Sequence, residues 1–154
     1  MTFITTHLIG VVVASTIGVA APDQSNACSL LTREEASAAV GAPVNEGKLN
    51  PGGPMAGQGI EVTGCTYTAA SGSDLSVSLW RFSPSARDSL AVYVGLCKKK
   101  EQAAGLGDVA CWYNERHREL QVLKGTALMI FELHRSNASA ALTTAAKQAL
   151  ARLR

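Results

Sequence analysis

The chain has 154 residues, 47% hydrophobic and 17% charged, with a formal net charge of +2. That length suits one domain, and the aliphatic content excludes a disordered tail. The 14 Lys and Arg against 12 Asp and Glu carry no polyanion-arm signal, so no nucleic-acid partner is expected.

The amino-terminal part reads as an address. Residues 8–20 are apolar or small and uncharged. Such a run is too short for a spanning helix, which needs roughly 20 residues, but it fits the core of a signal peptide. Gly18 and Ala20 place cleavage between Ala20 and Ala21, so residues 1–20 are expected to be a signal peptide. The alternative is a buried first strand built on Val11, Val12 and Val13. Cys28 follows Ser25-Asn26-Ala27, without the Leu-like residue three positions earlier that lipid attachment requires. A periplasmic or secreted product without a membrane span is therefore expected, with a polar lead at 21–27 and a single α+β domain at 28–154.

Along that domain, Thr32-Arg33-Glu34-Glu35 is a capping box, and the following Ala-rich helix should stop at Gly41. Residues 45–61 hold Pro51, Pro54, Gly52, Gly53, Gly57 and Gly59 and read as a long loop. A hairpin follows, with strands at 62–68 and 75–82. In the second, Leu75, Val77 and Leu79 alternate with Ser76 and Ser78, and Trp80 and Phe82 share the serine face. Ser83-Pro84 should open a helix with Ala86, Leu90, Tyr93, Val94 and Cys97 as its apolar stripe. Strands are expected at 109–113, 119–124 and 127–134, then an Ala-rich helix capped by Ser136 and running through Arg152. The expected fold is α+β: an antiparallel sheet of about five strands with helices packed on it, in the order αββαβββα.

Four cysteines, Cys28, Cys65, Cys97 and Cys111, all follow the expected cleavage point. In an oxidising compartment they form two disulfides, with three connectivities open. Cys28–Cys65 with Cys97–Cys111 is chosen because the second pair brackets a single loop between a helix and a strand. Zinc is the rival, but no C-x-x-C occurs and only His117 and His134 follow the leader. No metal or other cofactor is expected.

The Cys28-Ser29-Leu30-Leu31-Thr32 start resembles the opening of uncharacterised bacterial secreted and envelope proteins. In those, a second Cys precedes an aromatic strand, here Cys65-Thr66-Tyr67, and a Gly-Leu-Gly-Asp-x-Ala segment precedes another, here 105–110 and then Trp112. The resemblance spans residues 28–154 and implies a PsbP-like α+β sandwich of the kind used by extracytoplasmic binding or sensor domains. It carries over no catalytic residue.

The candidate site residues divide by chemistry. Residues 105–110 match G-x-G-x-x-A, but that fingerprint needs a strand before it and a helix after it; here a lysine run precedes and a strand follows, so a turn is expected. Lys98, Lys99 and Lys100, inside the Cys97–Cys111 loop, complement a helix C-terminus and could meet an anionic partner. Trp80 and Trp112 are the aromatic contact candidates. His117, between Arg116 and Arg118, and His134, near Glu132, are the general-base candidates. The leading expectation is a non-enzymatic binding module, of inhibitor, immunity or sensor type, for another protein or an anionic envelope ligand. The alternatives are a small envelope hydrolase using His117 or His134 with a neighbouring carboxylate, and a purely structural envelope protein.

Overall fold

The computed structural model describes residues 26–55 and 58–153. The expected leader at 1–20 lies outside the described residues. A 3-10 turn at Ala27–Ser29 opens the domain, with the Asn26 carboxamide oxygen accepting from the Cys28 and Ser29 amides. Helix α1 is Arg33–Val40. Three strands follow, β1 Lys48–Met55, β2 Ile60–Thr68 and β3 Asp74–Phe82, then a 3-10 turn at Pro84–Ala86 leads into α2, Arg87–Lys98. Strands β4 Glu101–Gln102, β5 Val109–Trp112, β6 Glu119–Lys124 and β7 Ala127–Leu133 precede the last helix, α3, Ser139–Arg152.

All seven strands form one antiparallel sheet in the order β1-β2-β3-β7-β6-β5-β4. The α+β class holds, but the expectation of about five strands in the order αββαβββα is corrected to αβββαββββα. The two added strands are the sheet's edges. Strand β1 occupies what reads as a long loop: two prolines and two glycines hide its strand character, and a bulge between Asn50 and Gly53 breaks the period-2 pattern. An edge strand tolerates this because only one side must pair. Strand β4 is two residues long and has no hydrophobic signature to read.

Two apolar layers sandwich the sheet. On one face Tyr67, Leu75, Val77, Leu79, Met129 and Phe131 pack with α1 and α3 into the main core. The opposite face holds a smaller cluster in which Ile60, Phe82, Leu123 and Leu128 meet Leu90, Tyr93, Val94 and Cys97 of α2. The capping box forms as the spacing requires: Glu35 N donates to Thr32 Oγ1 at 3.2 Å, and Thr32 N to Glu35 Oε2 at 2.8 Å. Gly41 ends α1 at φ 80°, where a side chain would be strained. Glu35 serves twice, because Arg152 from α3 reaches both of its oxygens at 2.8 Å. Burial raises the Glu35 carboxyl, but hydrogen bonds from Arg152 and Thr32 outweigh it and hold the group below its ordinary value.

The other two caps differ from expectation. Ser83 makes no cap bond; its hydroxyl instead lies 2.8 Å from that of Ser85. Helix α3 begins at Ser139 rather than after Ser136, because Asn137 takes φ 55° and turns the chain first. Among the described residues no helix is long and apolar enough to cross a membrane.

Candidate functional site

The described residues cover the face that carries α2 over only part of its extent. Helix α2 has 12 residues and so runs for about 18 Å, too little to cover seven strands. Strand register shows what it leaves open. One row of cross-strand partners, Val62–Trp80–Leu128–Leu123–Val109, is apolar and lies beneath or beside α2. The next row is mixed, Asn50–Gly64–Ser78–Ile130–Gln121–Cys111. The third, Lys48–Thr66–Ser76–Glu132–Glu119, is polar throughout, and the Tyr113 amide extends it by donating to the Glu119 carbonyl at 3.0 Å. The serines at 76 and 78 and the aromatics at 80 and 82 thus share a face because it runs from solvent to beneath a helix.

Within this polar half, Glu119 and Glu132 are direct partners on adjacent strands. Like charges so placed repel. Burial raises the Glu119 carboxyl, and the Glu132 charge adds to the rise; the hydrogen bond from Gln121 and the Lys100 charge pull the other way, and the net position is above the ordinary value. Gln121, 8% exposed, donates from Nε2 to Glu119 Oε1 at 2.9 Å and so holds that carboxylate in place. The stabilising contribution of protonated Glu119 is therefore full below the ordinary carboxylate range and is lost as the pH rises through its raised value. Replacing Glu132 with Gln is expected to move the Glu119 titration downward, followed by carboxyl carbon NMR. An unmoved titration would assign the whole rise to burial.

The row ends in a basic, aromatic corner. Lys98, Lys99 and Lys100 are exposed at the end of α2. Lys100 Nζ sits 5.0 Å from the centroid of the Tyr113 ring, a cation–π distance, and Tyr113 is 47% exposed. At the same edge but on the main-core face, the β4–β5 pairing places Glu101 opposite Trp112, and Glu101 Oε2 lies 2.9 Å from His117 Nε2. The imidazole in turn stacks at 4.9 Å on Trp112. His117 holds φ 51°, a left-handed value that a non-glycine residue adopts only in a well-determined turn. The Cys97–Cys111 bond closes this corner, and Cys28–Cys65 forms on the other face of the sheet.

The expected aromatic contacts are placed elsewhere. Trp112 is 8% exposed and belongs to the main core, while Trp80 makes an edge contact with Tyr93 of α2 at 5.5 Å. Tyr113, the next residue after Trp112 and on the opposite face, is the aromatic that meets solvent. Alternation along β5 was the signal available for it.

The histidines are not brought together. His134 Nδ1 lies 3.5 Å from Asp74 Oδ1, with side chains 64% and 29% exposed. His117 and Glu101 are 32% and 63% exposed. Each pair is a surface contact between an imidazole and a carboxylate, and all four cysteines are oxidised. Among the described residues no three His, Cys, Asp or Glu side chains converge as a metal-ligand set.

The glycine segment is a turn that feeds β5. Gly107 has φ 55°, and a Cβ there would collide with the Leu123 carbonyl, so only glycine lets β5 approach β6 at that point. Asp108 accepts from Gly125 N at 2.7 Å and Lys124 Nζ at 2.9 Å, which hold its carboxyl below the ordinary range.

This geometry defines an α+β protein with one antiparallel sheet between two helical layers and an open polar half-face bordered by cations. No family model, no curated protein and no solved structure matches the chain.

Proposed function

We propose that the protein is an exported, periplasmic or secreted, non-enzymatic binding module that contacts a negatively charged envelope ligand or partner. The observation that carries this reading is the placement of Lys100 over the exposed Tyr113 ring, at the border of a half-sheet that no helix covers among the described residues. Three further features support it. A disulfide of 14-residue separation pins the lysine-bearing loop, so ordering it on a ligand costs little additional entropy. The edges are poor templates for strand addition: β1 is bulged and interrupted by proline, and β4 is two residues long. A partner must therefore be met by side chains on a face. Two disulfides suit an oxidising compartment, in line with the apolar leader and with the resemblance of the Cys28 to Thr32 opening to bacterial envelope proteins.

The test is titration of the isotope-labelled protein with polyglutamate, followed by amide NMR. Shifts should concentrate at residues 98–100 and 113 and weaken as salt rises. The triple variant K98A/K99A/K100A should bind at least about tenfold more weakly, from roughly 1.4 kcal/mol of lost attraction. Undiminished binding by that variant would remove the lysines from the site and the reading with them.

A further inference from the structure

Among the described residues, α2 and the 3-10 turn leading into it supply the helical layer on their side of the sheet, while α1 and α3 belong to the other. A helix with one face on a sheet and one in water needs apolar side chains on the first only. Residues 90–97 of α2, Leu-Ala-Val-Tyr-Val-Gly-Leu-Cys, carry no charge and no amide on either face. Leu90, Tyr93, Val94 and Cys97 meet the sheet. Val92 and Leu96, one turn apart on the outer side, are 60% and 49% exposed, among the few large apolar side chains left open. Both line a groove of about 290 Å³ with Gln58, Ile60, Ser89 and Tyr93. The helix then runs directly into Lys98, Lys99 and Lys100, and no acidic residue lies between Asp88 and Glu101.

We infer that the outer face of α2 and its lysine terminus form a docking surface for an anionic lipid bilayer. The inference rests on the binding reading above and gives its ligand a class. Exposed aliphatics along a helix ending in cations ask for a partner that is negative at its surface and apolar just beneath. A bilayer of acidic lipids supplies both layers at once. Polyglutamate or a soluble acidic glycan supplies the charge alone and leaves Val92 and Leu96 in water. The helix also stands out from the sheet beside its uncovered half, so a flat surface approaching this side meets α2 first. Lysine stems can lie along the interface with their ammonium groups at headgroup level, and Tyr113 beside Lys100 has the amphipathic ring suited to that depth.

The experiment is flotation of the oxidised chain of residues 1–154 with vesicles of phosphatidylcholine alone or mixed with phosphatidylglycerol, at low and high salt, alongside the polyglutamate titration. The apolar run at 8–20 would add a contribution independent of lipid charge, and it cancels between variants that share it. Phosphatidylglycerol should strengthen binding above the level seen with phosphatidylcholine alone, and salt should remove that gain. It should drop about a hundredfold in K98A/K99A/K100A, at about fivefold per lysine near the surface, and about tenfold or more in V92T/L96Q. K147A, on the exposed side of α3, should bind as the parent does. Thermal midpoints unchanged in V92T/L96Q would show that these exposed positions leave the fold intact.

Equal flotation of V92T/L96Q and parent would overturn the role of α2, as would equal binding to both vesicle types. Binding of polyglutamate without vesicles would overturn the lipid assignment while the binding reading stands. Failure to bind either would remove both.

Discussion

Replacing Cys28 and Cys65 together with alanine is expected to lower unfolding free energy by about 4 kcal/mol, from the closure entropy of a loop with 37-residue separation. A single domain has roughly 5–15 kcal/mol in all, so this variant should lose a large share of its stability, with a midpoint about 10 °C lower or more. The effect should be global, because this bridge ties the turn at Ala27–Ser29 to β2, a strand that is paired on both sides. Cys65 lies in β2 with its sulfur buried, two residues before Tyr67. The Tyr67 hydroxyl donates to the Leu31 carbonyl at 2.8 Å; burial first, then the Glu35 and Glu46 charges, push that phenol up to about 12. The Ala27 amide donates to Thr63 Oγ1 at 2.9 Å on the same strand. Those hydrogen bonds alone leave the turn and α1 dependent on contacts that a longer unfolded loop makes harder to gather. Urea unfolding of variant and parent, each oxidised, measures the difference. A loss below about 1 kcal/mol would show that the bridge is not what restrains the unfolded chain, contrary to the loop-entropy account.

The second bridge should act differently. Removing Cys97 and Cys111 opens a loop of 14-residue separation and is expected to cost about 3 kcal/mol. Its sulfurs are buried at 1% and 0% exposure in the smaller cluster under α2, not in the main core. The structural consequence is therefore local before it is global. The last turn of α2 loses its tether to β5, and hydrogen exchange should quicken across residues 94–103 while β3, β6 and β7 stay protected. With the tether gone, Lys100 is no longer held over Tyr113, so polyglutamate and anionic-vesicle binding should both weaken several-fold even at temperatures where the domain is folded. Uniform loss of protection across the sheet would instead mean that the two apolar layers unfold as one unit.

How much of this is written in the linear order of residues depends on how local each cause is. Thr32 and Glu35 meet within one helical turn, so their capping box is legible, as are Gly41 and the alternation of Leu75, Val77 and Leu79. The pairing of Cys97 with Cys111 follows from a short span bracketing one loop, and the structure forms that pair and Cys28–Cys65. Local signals fail where an element depends on a neighbour. Strand β1 has the composition of a loop and becomes a strand only because β2 offers it an open edge. Ser83 and Ser136 have the right residue type for a cap, but the backbone around them directs the hydroxyl or the helix start elsewhere.

The site shows the same division. The three lysines and the aromatic pair at 112 and 113 are visible as residues, yet which aromatic meets solvent is decided by the face of β5 that the core claims. Glu119 and Glu132 stand 13 positions apart and become neighbours only through the register of β6 on β7. Glu101 meets His117 because a two-residue strand pairs with β5.

Composition, cysteine spacing and hydrophobic periodicity by themselves determined an α+β domain stapled by two bridges, since each arises from residues close in sequence or from covalent chemistry indifferent to detail. Tertiary structure alone decided that a 12-residue helix covers part of one sheet face, leaving Val92 and Leu96 outward and, among the described residues, a polar half-sheet open. Burial is a property of what packs on top, and nothing along the chain states how far a neighbouring element reaches.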